Sequence, residues 1–286
     1  MTSLVWPSNT TISKSDQIIL WLSRHWILVF GVLFGLYVLM PFVAPALMAI
    51  GLSKFGKAIY FVYSFLCHQL PERSYFLFGQ KISYTLPEIQ SVWKNTNNIV
   101  ILRQFIGNTH MGWKVAWSDR MVSLYTSIWL FGMAWGIKKN KHKPIPWWGL
   151  VLLILPMAID GTTHMVSDFA GIGKGFRDTN VWLANLTNYK LPFDFYAGDA
   201  WGSFNAWMRL ITGVLFGLGM VGFGFPYLNE SFIYSSKSIT YKLQHRTLLE
   251  KEKERLRKLA ASKVDYHKES FDINEFEIEG KNEKNQ

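Results

Sequence analysis

The stretch that decides the fold is WILVFGVLFGLYVLMPFVAPAL, residues 26–47. It carries no acidic or basic side chain, and it exceeds the roughly 20 apolar residues that a helix needs to cross a bilayer. Pro41 and Pro45 predict a kink or an end in its C-terminal part, because proline removes a backbone donor. The stretch therefore predicts a membrane-spanning helix.

Three further apolar runs predict spans, and one shorter run does not. The longer runs cover residues 121–137, 145–159 with an extension to 168, and 206–227. The shorter run, AIYFVYSFLC at 58–67, is too short for a normal span, so we expect a re-entrant or interfacial segment there. The predicted fold class is an all-α, multi-pass membrane protein with about four transmembrane helices and a cytoplasmic C-terminal helical extension.

The composition favours a membrane protein. Hydrophobic residues make up 49% of the 286 residues and charged residues 17%, below the roughly 25% usual in soluble domains. The net charge of +10 could indicate nucleic-acid binding, but the basic residues cluster at the ends of apolar runs and in the tail. Such residues set topology and contact anionic lipid headgroups, so we expect the lipid bilayer as partner and no nucleic acid.

The short connection KKNKHK at 138–143 predicts the orientation, because Lys and Arg near span ends are retained in the cytoplasm. Alternation then places both termini in the cytoplasm and outer loops near 80–120 and 169–200. The predicted domains are a cytoplasmic segment 1–24, a transmembrane domain 25–232 and a charged cytoplasmic tail 233–286. The tail, rich in Lys, Arg and Glu, could dock a cytoplasmic protein partner. The expected location is the cell membrane.

Ionisable residues at the ends of the predicted spans converge on the outer side. Charged groups within or beside spans are costly, so each is a candidate for a functional site. The predicted polar site consists of Cys67, His68, Arg73, Asp119, Arg120, Asp160, His164, Asp168 and Arg209. Arg120 and Arg209 would bind an anion, and Cys67 and His68 would complete the lining of the site.

The most specific local pattern is Asp160, His164 and Asp168, spaced i, i+4, i+8. On a continuous helix these side chains share one stripe within an arc of about 80°. Two carboxylates and an imidazole could bind a divalent metal, the one cofactor that the pattern allows. The alternative, which we favour, is structural pairing with arginine, because pairing lowers the cost of burying an acid.

A glycine-rich loop, AGIGKGFRDTN at 170–180, could present backbone amides and the positive charges of Lys174 and Arg177 to a phosphate. No strand is predicted before it, so the context of a phosphate-binding loop fails. The loop alone therefore predicts no nucleotide site.

Short motifs recur along the membrane part. They are Cys67-His68-Gln69 with Arg73-Ser74, Arg120 with Tyr125, Pro156 through Asp160-Gly161, and Arg209 through Gly213. In this order they resemble a family of predicted membrane proteins, the domain of unknown function 2085 family, from about residue 40 to 220. The family's Cys-x-Arg-Cys pattern aligns on residues 118–121, where Ser118 and Met121 replace both cysteines, and the family tends to have Gln at the position of His164. The resemblance implies no activity.

Three functional classes stay open. The first is a metal-assisted enzyme with an outer-face site for a lipid, a lipid-linked or a small polar substrate. The second is a structural or assembly subunit in which the polar residues form a buried network. A transporter ranks third, because four spans are few unless the protein oligomerises. Whether the protein is an enzyme is not decided by the sequence.

Overall fold

The computed structural model describes residues 13–137 and 143–282, and for 261–282 it describes the helical backbone alone. The chain is mostly helical. Its elements, in order, are α1 (Lys14–Ala49), α2 (Ser53–Tyr63), a 3₁₀ turn (Pro71–Arg73), β1 (Ser74–Leu77), α3 (Leu86–Val92), α4 (Ile99–Leu102), β2 (Gly107–Asn108), β3 (Gly112–Ser118), α5 (Asp119–Ile137), α6 (Trp147–Asp168), α7 (Phe176–Thr179), α8 (Val181–Leu186), α9 (Phe193–Tyr196) and α10 (Phe204–Asn282). Most of the KKNKHK connection lies outside the described residues, so the predicted orientation stays a prediction.

Among the described residues, three helices are long and apolar enough to cross a membrane: α1, α6 and the part of α10 up to Ala260. The prediction of several apolar membrane helices is confirmed at this level. The predicted second span forms α5, whose 19 residues extend about 28 Å at 1.5 Å per residue. That length approaches the ~30 Å hydrocarbon core, but α5 begins with a charged pair and is not among the three.

The first span continues past both of its prolines. Pro41 and Pro45 lie inside α1, which ends only at Ala49. The non-helical backbone in α1 lies instead at His25, with φ −114° and ψ 18°. Neighbouring helices can compensate the donor that a proline lacks, so neither proline ends this helix.

The short apolar run at 58–67 does not form a spanning helix. Its first part belongs to α2, whose 11 residues extend about 16 Å, and irregular backbone follows from about residue 67. One face of α2 is buried through Gly56, Tyr60 and Tyr63. Its length is far below the ~30 Å needed to cross the hydrocarbon core.

The prediction of an all-α chain is wrong in the region of the predicted outer loop at 80–120. A three-stranded antiparallel sheet with the order β1-β3-β2 forms there, flanked by α3 and α4. Strand β3 supplies Val115, Ala116 and Trp117 to the hydrophobic core. All but one of the seven residues of β3 are buried, including Lys114, so the sequence lacks the alternation of apolar and polar residues that marks a strand.

Small residues bring α5 and α10 close together. The Ser123 hydroxyl of α5 donates to the Arg209 carbonyl of α10 at 3.0 Å, and the Ser127 hydroxyl donates to the Gly213 carbonyl at 3.2 Å. A side chain at Gly217 would lie 2.0 Å from the Ser127 hydroxyl oxygen. Such contacts between small residues are typical of helix interfaces in membranes. They explain why α5 carries several polar residues in an otherwise apolar helix.

The chain divides into two compact units. One covers His25–Glu230, and the other combines the residues before 25 with those from 231 onward. The first contains the sheet, α2 to α9 and all the site residues. In the second, the Arg246 guanidinium lies 3.9 Å from the Asp16 carboxylate, and Lys258 pairs with Glu254 at 3.1 Å on an exposed helix. The structure does not test the predicted assignment of these units to membrane and cytoplasm.

Candidate functional site

Eight charged side chains form two neighbouring ion-pair clusters, here together called the Arg-Asp network. The backbone amide of Arg120 links the two clusters by donating to Asp119 Oδ1 at 2.7 Å. Its members are Arg73, Arg120, Arg177, Arg209, Asp119, Asp160, Asp168 and Asp199. Four guanidinium groups therefore face four carboxylates. The network contains six of the nine predicted site residues.

The larger half of the network is centred on Asp199. Arg73 donates to Asp199 from Nε at 2.8 Å, and Arg209 donates to it from Nη1 at 2.6 Å. The other two nitrogens of Arg73 bind both oxygens of Asp168 at 2.7 Å each. Arg209 Nε donates to both oxygens of Asp119 at 2.9 and 2.8 Å. Arg73 and Arg209 thus engage all three of their guanidinium nitrogens.

The smaller half is centred on Asp160. Its two oxygens accept from Arg120 Nη2 and Arg177 Nη2, each at 2.6 Å. Arg177 Nη2 also lies 3.1 Å from His164 Nε2. A guanidinium can only donate, so this nitrogen of His164 is the acceptor, and the proton of the neutral ring is inferred to lie on Nδ1.

Local structure explains how the network residues meet. Asp119 follows β3 directly as the first residue of α5, and Arg209 lies in the second turn of α10. Asp168 is the last residue of α6, and Arg73 ends the 3₁₀ turn. The network therefore joins the ends of three long helices to the 3₁₀ turn and to the loops that contain Arg177 and Asp199.

Asp199 owes its position to an irregular loop. It follows Gly198, whose φ of 77° is a backbone conformation that glycine adopts readily. Burial alone would raise the pKa of Asp199, but the charges of Arg73 and Arg209 outweigh it and hold that pKa below its ordinary value. The carboxylate is therefore ionised and forms the anionic centre of the larger half.

A small cavity of about 70 Å³ lies beside the network. Its lining consists of His68, Arg73, Ser118, Asp119, Arg120, Met121, His164 and Arg209. Pockets that enclose drug-sized ligands measure roughly 300–1,000 Å³, so this cavity fits only a group of a few atoms. Both oxygens of Asp119 are occupied by Arg209, which leaves the other lining groups to meet a ligand.

Several donors around the cavity have no partner among residues 13–137 and 143–260. Arg120 donates from Nη2 to Asp160, while its Nε is buried without a partner in the described part of the chain. The inferred Nδ1 donor of His164 is also buried and unpaired there. At the exposed rim, His68 Nδ1 accepts weakly from the Leu70 amide at 3.4 Å, which leaves Nε2 as the proton-bearing nitrogen of a neutral ring. Three lining side chains can therefore donate to a ligand.

The predicted metal triad of Asp160, His164 and Asp168 is not assembled. The helix is continuous, as the pattern requires, and Asp160 Oδ1 lies 3.8 Å from His164 Nε2. Asp168, however, binds Arg73, and both oxygens of Asp160 are engaged by arginines. Within the described residues no group of three or more His, Cys, Asp or Glu side chains could hold a metal ion. The structure thus corrects the metal prediction in favour of ion pairing.

Of Cys67 and His68, which were predicted to complete the lining of the site, only His68 lines the cavity. Cys67 is a buried free thiol in the hydrophobic core, with its sulfur 3.5 Å from the Ser118 hydroxyl. His68 is exposed and lines the cavity. Of the nine predicted residues, six line the cavity, and Asp160 and Asp168 hold lining arginines through ion pairs.

Sequence reasoning missed two members of the network. Arg177 lies in the loop that was considered for phosphate binding, but its guanidinium binds Asp160. Asp199 follows no recognisable motif. It lies in a predicted outer loop, outside every predicted span, so the search for charged residues at span ends did not select it. A search for charged residues in both outer loops, beyond the span ends, would have found them.

Two further ionisable residues, Glu72 and Lys114, are buried outside the network. Glu72 has no hydrogen-bond partner among the described residues, and burial raises its pKa to about 7 despite the neighbouring charge of Arg73. Lys114 is held by the carbonyls of Gln69 at 2.7 Å and Arg103 at 2.8 Å, and burial lowers its pKa to about 7. Because folding raises the pKa of Glu72 from 4.5, its contribution to stability is complete below about pH 4.5 and is lost as the pH rises through 7.

Comparisons with known proteins give a family match over part of the chain and no activity. Residues 108–223 match the family described as predicted membrane protein (DUF2085), which confirms the resemblance inferred from the motifs. An uncharacterised protein of Methanocaldococcus jannaschii is 29% identical over 178 residues, which cover 59% of this chain and 90% of the relative. No solved structure matches the chain.

Proposed function

We propose that this protein, a member of the DUF2085 family of predicted membrane proteins through residues 108–223, binds a compact anionic group at the outer face of the membrane. The single observation that carries the proposal is Arg120. This guanidinium lines the cavity, its side chain is 19% exposed, and it engages one nitrogen with Asp160. The ligand class is a phosphate or carboxylate group on a lipid, a lipid-linked molecule or a small polar solute.

The chemistry of Arg120 supports an anion over a neutral or cationic ligand. Arginine carries five N–H donors in a planar fork that matches carboxylate and phosphate oxygens. The buried Nε of Arg120 has no hydrogen-bond partner in the described part of the chain. An unpaired buried donor costs roughly 1–3 kcal/mol, so a ligand oxygen that accepts from it would recover part of that free energy.

The other donors lie on the same lining. The inferred Nδ1 proton of His164 and the inferred Nε2 proton of His68 add two neutral donors to the charged one. Arg73 and Arg209 have their nitrogens engaged by aspartates, and so contribute positive charge near the cavity rather than direct hydrogen bonds. Charge-assisted bonds to ionised acceptors are about twice as strong as neutral ones, which favours an ionised ligand.

We also propose the topology that places this site outside. Four helices, α1, α5, α6 and the membrane part of α10, would cross the bilayer. The Lys-rich connection at 138–143 links the ends of α5 and α6 that lie opposite to Arg120 and Asp160 along these helices. Retention of that connection in the cytoplasm would put the site on the outer side and both termini inside.

A structural role is the second candidate, and the charge balance of the Arg-Asp network favours it. The four arginines and four aspartates carry equal and opposite charge, and they tie α5, α6 and α10 to the loops around Arg73 and Asp199. In that case the protein would be a structural or assembly subunit, and its charged tail would recruit a cytoplasmic partner. The network would then need no ligand.

Thermal unfolding of the detergent-purified protein across a phosphate titration distinguishes the two. If phosphate binds, the unfolding temperature should rise with the logarithm of the phosphate concentration above Kd, because a ligand at 100 times its Kd adds about 2.7 kcal/mol. Arg120→Gln should abolish the phosphate-dependent increase. His164→Ala should weaken it.

The matched control is Arg103→Gln. Arg103 is also a partly buried arginine, but it donates to the Ser64 carbonyl at 2.8 Å and does not line the cavity. This variant should keep the phosphate-dependent increase. If phosphate and citrate leave the wild-type unfolding temperature unchanged, the anion site is wrong and the structural candidate takes its place.

A further inference from the structure

The depth of the cavity in the molecule indicates where its ligand comes from. Helix α6 has 22 residues and extends about 33 Å, close to the thickness of a hydrocarbon core. Asp160 lies eight residues before its end, so about 12 Å inside the helix. Arg120 reaches it from the first turn of α5. The cavity beside them would therefore lie at the depth of the lipid, below the water interface.

The outer face of α6 at that depth is apolar. Asp160 and His164 are buried on one side of the helix, while Ile159, Met165 and Val166 are each more than 50% exposed on the other. In a membrane helix such exposed apolar side chains face acyl chains. A lipid can therefore pack beside the same helix that carries one wall of the cavity.

The rim of the cavity is also flanked by apolar surface. Among the lining residues, His68 is exposed and Arg120 and Met121 are partly exposed, so access runs past these three. Phe65 and Leu66, just before His68, are 75% and 51% exposed. A polar rim next to exposed apolar side chains fits an amphipathic ligand with a charged head and apolar chains.

The size of the cavity limits the part of the ligand that it can enclose. About 70 Å³ accommodates a phosphate group but not the rest of a lipid. The remainder must lie outside, along surfaces such as Phe65, Leu66 and the outer face of α6. A small enclosed head and long exposed chains are the two features of a phospholipid.

We infer that the anion bound at Arg120 is the phosphate of a phospholipid from the surrounding leaflet, with its acyl chains on the apolar surface formed by Phe65, Leu66, Ile159, Met165 and Val166. This inference rests on the proposed anion site and names the ligand class. It requires the phosphate and the chains together. A soluble phosphate should bind more weakly than a phospholipid, and an uncharged diacyl lipid should not occupy the cavity.

The experiment compares three ligands in detergent micelles, with native mass spectrometry and thermal unfolding as readouts. They are phosphatidate, sn-glycerol 3-phosphate and diacylglycerol, which present phosphate with chains, phosphate alone and chains alone. Phosphatidate should act at a concentration at least about tenfold lower than glycerol phosphate, because burial of two methylene groups is enough for that factor. Diacylglycerol should give no Arg120-dependent stabilisation.

A variant at the rim of the cavity tests the contribution of the acyl chains to binding separately from that of the phosphate. Phe65→Ser should weaken binding of phosphatidate and leave glycerol phosphate unchanged. The control Phe193→Ser alters an equally exposed phenylalanine that does not line the cavity, and should change neither.

The outcomes distinguish this inference from the proposed function. If glycerol phosphate stabilises the protein as well as phosphatidate through Arg120, the anion site stands and the lipid inference is overturned. If neither phosphate ligand stabilises it, both are overturned. If diacylglycerol binds as tightly as phosphatidate, the chains alone explain binding, and the phosphate has no role.

Discussion

The substitution Asp199→Asn tests whether the Arg-Asp network holds the loops around Arg73 and Asp199 onto the long helices. Asp199 is buried and accepts from Arg73 at 2.8 Å and from Arg209 at 2.6 Å. The amide of asparagine would turn a donor toward one of these arginines. It would also remove the buried carboxylate that links the pair Arg73–Asp168 to the pair Arg209–Asp119. Breaking a buried ion pair on one side costs about 3–5 kcal/mol, so we expect a loss of that size in the free energy of unfolding.

The assay is thermal unfolding of the detergent-purified protein by tryptophan fluorescence and circular dichroism. For a unit of about 200 residues, 1 kcal/mol shifts the midpoint by roughly 2–4 °C, so a decrease on the order of 10 °C is expected. Asp194→Asn is the matched control, because Asp194 is exposed in α9 and its substitution should stay within about 0.5 kcal/mol. Equal midpoints for the two variants would refute the reasoning that the network carries this stability.

Two further predictions concern buried groups outside the network. In the wild type, the free energy of unfolding should fall by up to about 1.4 kcal/mol per pH unit between pH 5 and 7, and Glu72→Gln should remove this fall, as measured by unfolding at each pH. The control Glu230→Gln, at an exposed site, should keep it. Parallel pH profiles for the wild type and Glu72→Gln would contradict the prediction. Gly217→Ala should destabilise the protein by about 1–3 kcal/mol in detergent, because the new methyl group would lie 2.0 Å from the Ser127 hydroxyl and 2.9 Å from a backbone nitrogen. Gly224→Ala, in the same helix with nothing within 4 Å, should be neutral or slightly stabilising, so equal effects would exclude close packing as the cause.

The sequence determined the membrane helices of this protein. A span is recognised from a sum of side-chain hydropathies over about 20 consecutive residues, and that sum does not depend on the rest of the chain. The stretch at 26–47 is therefore readable alone, and α1 does contain it. The same local argument identified Asp119, Arg120 and Asp160, since a charge at a span end is conspicuous against its apolar neighbours.

The sequence also predicted the stripe on α6, because helical spacing is a local property. Asp160 and His164 do share a face. The sequence could not determine which group pairs with each carboxylate. Ion pairing depends on which groups from distant segments come within about 4 Å, and the partners of Asp160 are 40 and 17 residues away. For that reason the triad predicted with Asp168 was wrong.

Tertiary structure alone decided the elements without a strong local signal. The seven-residue β3 gains its stability from pairing with β1 and from burial of Trp117, neither of which is visible in seven letters of sequence. Asp199 becomes the centre of the network because an irregular loop after Gly198 brings it between Arg73 and Arg209. Hydropathy determines which segments are membrane helices, whereas the three-dimensional path of the loops determines which charged side chains form ion pairs.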